Sequence, residues 1–395
     1  MAKNTFLLAA SGDTESQAAE KLKKKAERLF KLELNEKNCA ELNEEDVQSK
    51  CRSIAFFSDA DELEMKISNN DITVNTVKND GKTVFLFPGN GIYQINMLDI
   101  LKKSHPYMRD IINEYEKLCP DGLLESNNYQ SKQLQICISE IAIAKLWMFC
   151  GITPEYMIGH SLGEYAAAAV SGIIEPKNLV DMLNARGKIL QDTLNDYSMM
   201  SVQATYDKIE RFLDDEVKIA AYNNSELYTI TAASEKLDKL KAVFKENGIS
   251  ATKLQFSGGG HNDKLKSSAE KFMNEISDVK FNKPSINIIP TAKENSTADA
   301  MSYPEYWLEN LVSPVRFMQA FTVLKGQNIR SMVDIGVSPV LLSMAMMNFR
   351  DLETKWIPSI KSGRNYRSQI LKAAGQLFVS GENVKWNNLF MKEEV

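Results

Sequence analysis

Histidine is scarce in this chain, with only His105, His160 and His261 among 395 residues. Any reaction needing an imidazole base therefore has three candidates. The five cysteines (Cys39, Cys51, Cys119, Cys137, Cys150) are scattered with no C-x-x-C spacing. That pattern reads as buried thiols, not a metal or redox centre. No apolar run approaches the ~20 residues of a membrane span. The stretch 5–10 is too short for a signal-peptide core, and no cleavage site follows it. A net charge of −5 gives no reason to expect nucleic acid or an anionic membrane as partner. The chain is expected to be cytoplasmic, with no metal. Repeats and low-complexity segments are absent as well.

The length suits two or three domains, and 44% hydrophobic with 25% charged residues is ordinary for a globular protein. Residues 1–80 read as a separate unit: a strand at 5–9, an amphipathic helix at 15–32, a strand at 53–57 and a strand or helix at 63–67. This unit has no glycine-rich nucleotide loop and reads as a docking or linker module. The apolar run Thr83-Val84-Phe85-Leu86-Phe87 has the character of a buried parallel strand, broken by Pro88-Gly89-Asn90-Gly91. Helical patterns follow at 97–104, 107–119 and 133–150. From 199 the order strand 199–205, helix 206–215, strands 217–222 and 228–232, helix 235–247 and strand 251–256 is that of a ferredoxin-like split unit. Strand-like runs at 286–291 and 331–335 then resume the larger body, and 356–395 forms a tail with a helix at 366–380.

Gly159-His160-Ser161-Leu162-Gly163-Glu164 stands between the apolar run Tyr156-Met157-Ile158 and a helix-forming run. Strand, sharp turn, helix is the setting in which a G-x-S-x-G serine becomes a nucleophile. A bare G-x-S-x-G arises in roughly one chain in ten of this length from composition alone, so the setting carries the weight. The serine needs a base within hydrogen-bond reach. His160 adjoins it, but neighbouring residues on a tight turn diverge. His105 opens a helix expected at the surface. His261, after Ser257-Gly258-Gly259-Gly260 in a loop leaving a strand, is the best candidate. Asp181, Asp192 and Asp207 sit where solvent is expected, so a backbone carbonyl is a fitting partner for the imidazole.

Four separate motifs resemble the malonyl-CoA:acyl-carrier-protein transacylase family, in the acyltransferase form embedded in modular polyketide synthases. Phe87-Pro88-Gly89-Asn90-Gly91 is similar to its FPGQG loop, with asparagine for glutamine. Gly159 to Glu164 is its GHSxGE box. Ala185-Arg186-Gly187-Lys188 resembles its RG element, and Tyr306-Trp307-Leu308-Glu309-Asn310-Leu311-Val312-Ser313-Pro314-Val315-Arg316-Phe317 resembles its YWxxNLxxPVRF segment. Residues 1–80 are similar to the ketosynthase-to-acyltransferase linker and 356–395 to the segment after the acyltransferase. The opening Met1-Ala2-Lys3 is compatible with excision from a longer synthase.

The resemblance implies an α/β fold: an α/β-hydrolase-like large lobe (81–198 and 257–355), an inserted ferredoxin-like small lobe (199–256) and an N-terminal α/β linker domain. It assigns Ser161 as nucleophile, His261 as general base and the Asn310 main-chain carbonyl as its orienting partner. The N–H groups of Asn90 and Leu162 become the oxyanion hole; because the Asn90 donor is main-chain, the change from glutamine matters little. Arg186 binds substrate, with Gln133 (placed just before a helix), His160, Gly260 and Asn223 around it. A guanidinium fork suits the free carboxylate of a malonyl-type unit. No bound cofactor is implied. The phosphopantetheine belongs to a partner acyl carrier protein, the donor is an acyl-CoA or acyl carrier protein, and the ketosynthase domain of the same synthase is a further partner.

Where relatives selecting malonyl read His-Ala-Phe-His and those selecting methylmalonyl read Tyr-Ala-Ser-His, this chain reads Gly258-Gly259-Gly260-His261. The missing bulk suggests a C2-substituted extender with a small polar group, such as hydroxymalonyl. A plain malonyl-CoA-specific acyltransferase is the alternative. A serine thioesterase or acyl hydrolase on the same elbow and a catalytically idle docking domain are the rivals from other classes.

Overall fold

The computed structural model describes residues 5–391 apart from 47, 79, 127, 255–259, 350–352, 362 and 364. Strands β1 (Phe6–Gly12) and β2 (Cys51–Phe57) pair antiparallel, and β3 (Thr73–Thr76) adds to the free edge of β2. Helix Glu15–Leu29 buries Ala18, Leu22, Ala26 and Leu29, one stripe at helical spacing, and Thr14 caps it by accepting the Gln17 N–H at 3.2 Å. The segment left open as strand or helix is a helix, Ala60–Ser68, capped by Asp59. Helix Glu36–Glu44 and the four-residue β3 complete the unit. The Ser53 hydroxyl bonds to Ala18 on one face of β2. On the opposite face, Phe56 meets the tail helix Tyr366–Ser380 at Gly375, where a Cβ would lie 2.6 Å from the ring. Only glycine permits that approach.

The second sheet begins with β4 (Lys82–Phe87) and β5 (Tyr156–Gly159), parallel neighbours joined through helices Met97–Ser104, Pro106–Leu118 and Tyr129–Phe149. The last of these is buried on nearly all sides, as its apolar circumference requires. It starts at Tyr129, so Gln133 lies inside the helix and not before it; Asn128 supplies the cap by accepting the Ser131 N–H at 2.8 Å. Helices Gly163–Val170 and Pro176–Leu194 follow β5.

The chain then forms β6 (Tyr197–Gln203), β7 (Lys218–Asn224), β8 (Leu227–Ala233) and β9 (Ser250–Lys253), an antiparallel sheet in the order β7-β8-β6-β9. That is the ferredoxin-like order expected. Its first helix is shorter than expected, Tyr206–Ile209 with one 3-10 turn to Phe212. Asp214 ends it by accepting the N–H groups of Glu216 and Val217, a local side-chain turn that competes with helix.

Returning to the large lobe, β10 (Asn287–Ile289), β11 (Ile329–Asp334) and β12 (Lys355–Pro358) complete a five-stranded parallel sheet in the order β10-β5-β4-β11-β12. The sequence reading left β12 in the tail. A strand ending in proline is tolerated at a sheet edge, where no N–H is needed beyond it. The lobes meet where the Tyr222 N–H donates to the Val315 carbonyl at 2.8 Å and the Val315 N–H to Ala220 at 2.9 Å. Because β4 and β5 are adjacent and parallel, the loop after Phe87 and the turn after Gly159 emerge side by side at the carboxyl edge of the sheet, where such folds place ligands.

Candidate active site

Ser161 sits at φ +55°, the left-handed region that a non-glycine residue enters only when its surroundings force it. The forcing is visible in the flanking glycines. A Cβ on Gly159 would strike the Glu164 backbone, and one on Gly163 would strike the Phe87 carbonyl. The His160 N–H donates to that same carbonyl at 2.9 Å, tying the turn to β4. Gly89, at φ +66°, packs so closely that a Cβ would lie 2.6 Å from both the His160 oxygen and the Gly163 nitrogen.

Ser161 Oγ lies 2.6 Å from His261 Nε2. His261 Nδ1 lies 2.7 Å from the Ser313 carbonyl, which can only accept. The proton is therefore on Nδ1, and Nε2 presents a lone pair to the serine hydroxyl. The His261 N–H also donates to the Leu311 carbonyl at 3.3 Å, so the loop docks on the carbonyl end of helix Pro304–Val312. Burial, and then the nearby Arg186 cation, push the imidazole pKa down to about 3. The base is neutral at physiological pH.

The Asn310 carbonyl does not orient His261. Asn310 keeps helical backbone, so its carbonyl runs along the helix axis. Ser313, just past the helix end, is extended (φ −89°, ψ 155°) and turns its carbonyl outward. The signal was the Ser313-Pro314 pair, since a residue before proline avoids helical backbone. Asn310 contributes through its side chain, whose Nδ2 donates to the Ser161 carbonyl at 3.1 Å and to Glu164 Oε2 at 2.8 Å. Glu164 also accepts from the Thr291 N–H (2.7 Å) and the Tyr306 hydroxyl (2.6 Å). Burial raises its pKa to about 7 against these stabilising donors. This hub joins the elbow, β10's exit and the helix beneath His261, and it went unread in the sequence.

Arg186 is almost wholly buried. Its partners among the described residues are Gln133 Oε1, Ser161 Oγ at 3.4 Å and the face of Tyr165, none of them acidic. Arg186 Nε and Gln133 Nε2 have no protein partner among those residues. A buried cation without a counter-charge is costly and suits an anionic ligand. Its cavity, about 450 Å³, is lined by Asn90, His160, Ser161, Arg186, Gly260 and His261 from the large lobe. The small lobe adds Met199, Ala220, Ala221, Asn223 and Thr252. His160 bonds to Asn223 Oδ1 at 2.8 Å, and Asn223 Nδ2 donates to Thr229 at 3.1 Å. The Asn90 side chain donates to the Tyr129 hydroxyl at 3.2 Å. The Leu162 N–H stands at the start of helix Gly163–Val170, where N–H groups have no partner within the helix. Gly258 and Gly259 lie outside the described residues.

His105 is not at the surface. It is buried, caps helix Pro106–Leu118 by accepting the Tyr107 N–H at 3.1 Å, and reaches the Asn388 carbonyl at 3.0 Å. It takes no part in the Ser161 cavity.

The arrangement of strained serine, neutral imidazole and buried guanidinium can form an acyl ester and read an anionic acyl group. The family model described as the acyl transferase domain matches residues 84–384. The spectinabilin polyketide synthase system protein NorB of Streptomyces orinoci is 26% identical over 338 residues, 79% of this chain and 16% of NorB. The mycoketide-CoA synthase of Mycobacterium tuberculosis is 24% identical over 341 residues, 82% of this chain and 8% of the synthase. The chain thus spans a small fraction of either relative's length. Among solved structures, the acyltransferase domain of ZmaA superposes with a TM-score of 0.85 at 18% identity, covering 98% of this chain and 97% of that one. The acyltransferase domain from module 8 of the salinomycin polyketide synthase gives 0.83 at 19%, covering 97% and 98%. No helix among the described residues is long and apolar enough to cross a membrane. By the family match over residues 84–384, the chain belongs to the acyl transferase domain family.

Proposed function

We propose that this chain charges an acyl carrier protein with a malonyl-type extender unit, passing it through an ester on Ser161. One observation carries the reading: the buried Arg186 guanidinium stands beside Ser161 Oγ with only uncharged partners among the described residues. A malonyl-type unit brings a free carboxylate there; acetyl and fatty acyl units do not.

As Ser161 Oγ attacks the thioester carbonyl, its proton passes to His261 Nε2 and the C–O bond forms. The N–H groups of Asn90 and Leu162 receive the oxyanion, each donor worth roughly 3 kcal/mol in comparable sites. Collapse breaks the C–S bond, and His261 returns the proton to the departing thiolate. The thiol of the acceptor's phosphopantetheine then gives its proton to His261 and forms the new C–S bond at the ester carbonyl; collapse breaks the C–O bond, and His261 returns the proton to Ser161 Oγ. The arm belongs to the partner; the chain itself needs no bound cofactor for these steps. Residues 1–80, whose strands β1 and β2 carry helix Tyr366–Ser380 and whose helix Glu36–Glu44 carries helix Trp386–Leu389, are the surface we assign to a ketosynthase neighbour.

Gly260, Ala220 and Ala221 give the cavity small lining residues, and the polar side chains of His160 and Asn223 also line it. That combination favours a small polar C2 substituent such as hydroxyl, delivered on coenzyme A or on a carrier protein. A competition among malonyl, methylmalonyl, hydroxymalonyl and acetyl donors on both carriers, read by intact mass on Ser161, tests it, with Ser161→Ala as the blank. Hydroxymalonyl is expected to dominate. Preference for malonyl-coenzyme A would overturn the C2 assignment, and equal acetyl loading would overturn the carboxylate reading. Hydrolysis outpacing transfer to carrier protein would make the chain a thioesterase. Arg186→Ala is expected to cost malonyl-type donors roughly 2–5 kcal/mol and acetyl much less.

A further inference from the structure

We propose that Glu140 is a positioning residue for the oxyanion loop, fixing the Gly89–Asn90 backbone from beneath; the inference rests on Ser161 acylation as read above. Glu140 is fully buried in helix Tyr129–Phe149, among Ile136, Ile138, Ile141, Ala142 and Ala144. A carboxyl group there is expensive, and an apolar side chain would fill the space more cheaply. Its Oε1 accepts the Gly89 N–H at 2.7 Å, and Oε2 has no partner among the described residues. The Gly89 main chain is therefore the single group this acid is seen to serve.

The surrounding contacts explain why the loop needs it. On one side Gly89 lies against the elbow, with no room for a Cβ beside His160 and Gly163. On the other, Pro88 abuts Gly336 after β11, where a Cβ would lie 2.7 Å from the proline ring. Those two packings confine the loop from either side. The Glu140 bond sets the tilt of the plane between Pro88 and Gly89. Peptide planarity and the packed backbone conformation of Gly89, with its φ of +66°, then pass that setting to the next plane, which carries the Asn90 N–H. Burial raises the Glu140 pKa well above the usual carboxylate range, toward a neutral group, and glutamine offers the same oxygen acceptor.

Pre-steady-state acylation of Ser161 by a malonyl-type donor, followed by intact mass, tests the proposal in Glu140→Met, Glu140→Gln and Glu140→Asp. Glu140→Met is expected to lower kcat for acylation roughly 100-fold, the order expected for a misplacement near 1 Å, with KM little changed. Glu140→Gln should stay within about threefold of wild type, because it keeps the oxygen acceptor that methionine of similar volume lacks; a packing role alone would spare both variants. Wild-type kcat in Glu140→Met, or equal loss in Glu140→Gln, would overturn the proposal. Should Glu140→Met fail to melt cooperatively, Glu140→Asp carries the test: its shortened acceptor should cost roughly tenfold or more in kcat, and wild-type kcat there would sink the idea. Absence of acylation in the wild-type chain would instead bring down the underlying reading.

Discussion

Asn310 Nδ2 holds the main-chain carbonyl of Ser161 at 3.1 Å while donating to Glu164 at 2.8 Å, so one amide ties the strained elbow to the helix that seats His261. Asn310→Ala would leave Glu164 Oε2 without its donor, at about 1–3 kcal/mol, and the Ser161 carbonyl with only the Glu164 N–H at 3.1 Å. Asn310→Asp would add a carboxyl group facing Glu164 and should be worse. Thermal melting checks the order, wild type above Ala above Asp. Equal melting temperatures for all three would show that the elbow holds itself.

The parts of this site that were legible in the sequence are those encoded by neighbours along the chain. The elbow around Ser161 is a strand, two glycines and a helix in one stretch, and the small lobe announces its order by alternating periods. Arg186 was found by motif and its burial then gave it meaning. Ser313, Glu164 and Glu140 were not legible as site residues, because each meets a partner far away in sequence: the Ser313 carbonyl the His261 ring, Glu164 the Thr291 N–H and Glu140 the Gly89 N–H. His105 was misread for the same reason; its partner at Asn388 belongs to the tail.

His105→Ala should therefore lower stability without touching the chemistry. It removes a helix cap and a bond to Asn388, together on the order of 1–3 kcal/mol. Acylation per folded molecule should match wild type. A rate loss comparable to that of His261→Ala would reinstate His105 as a candidate base.

The pH dependence follows from the imidazole. Acylation needs neutral His261, whose pKa burial and the Arg186 cation hold down to about 3 in the free protein. Lowering the pH through the ordinary histidine range therefore does not protonate it, and the imidazole should put no acid limb on kcat/KM between about pH 8 and 5. A bound carboxylate screens Arg186, which raises the imidazole pKa in the complex, so the acid limb of kcat should lie above that of kcat/KM. Stopped-flow acylation across pH reads both. An acid limb of kcat/KM near 6.5 would mean that solvent reaches His261 in the free protein.

Gly260 should set the choice at C2. It is buried, lines the cavity and immediately precedes His261. On the proposed reading, glycine here would leave room beside the substrate's α-carbon, and a polar branch would suit the adjoining backbone better than an alkyl one. Gly260→Phe would fill that room with a ring and exclude any branch by overlap. Ser161 should then acquire malonyl in place of hydroxymalonyl in the same competition, with total acylation kept within about tenfold because the nucleophile, base and Arg186 are untouched. Melting temperature and the His261→Ala blank separate this from a general loss of the site. An unchanged product ratio in a folded Gly260→Phe variant would move the control of C2 to the small-lobe wall at Ala220, Ala221 and Asn223.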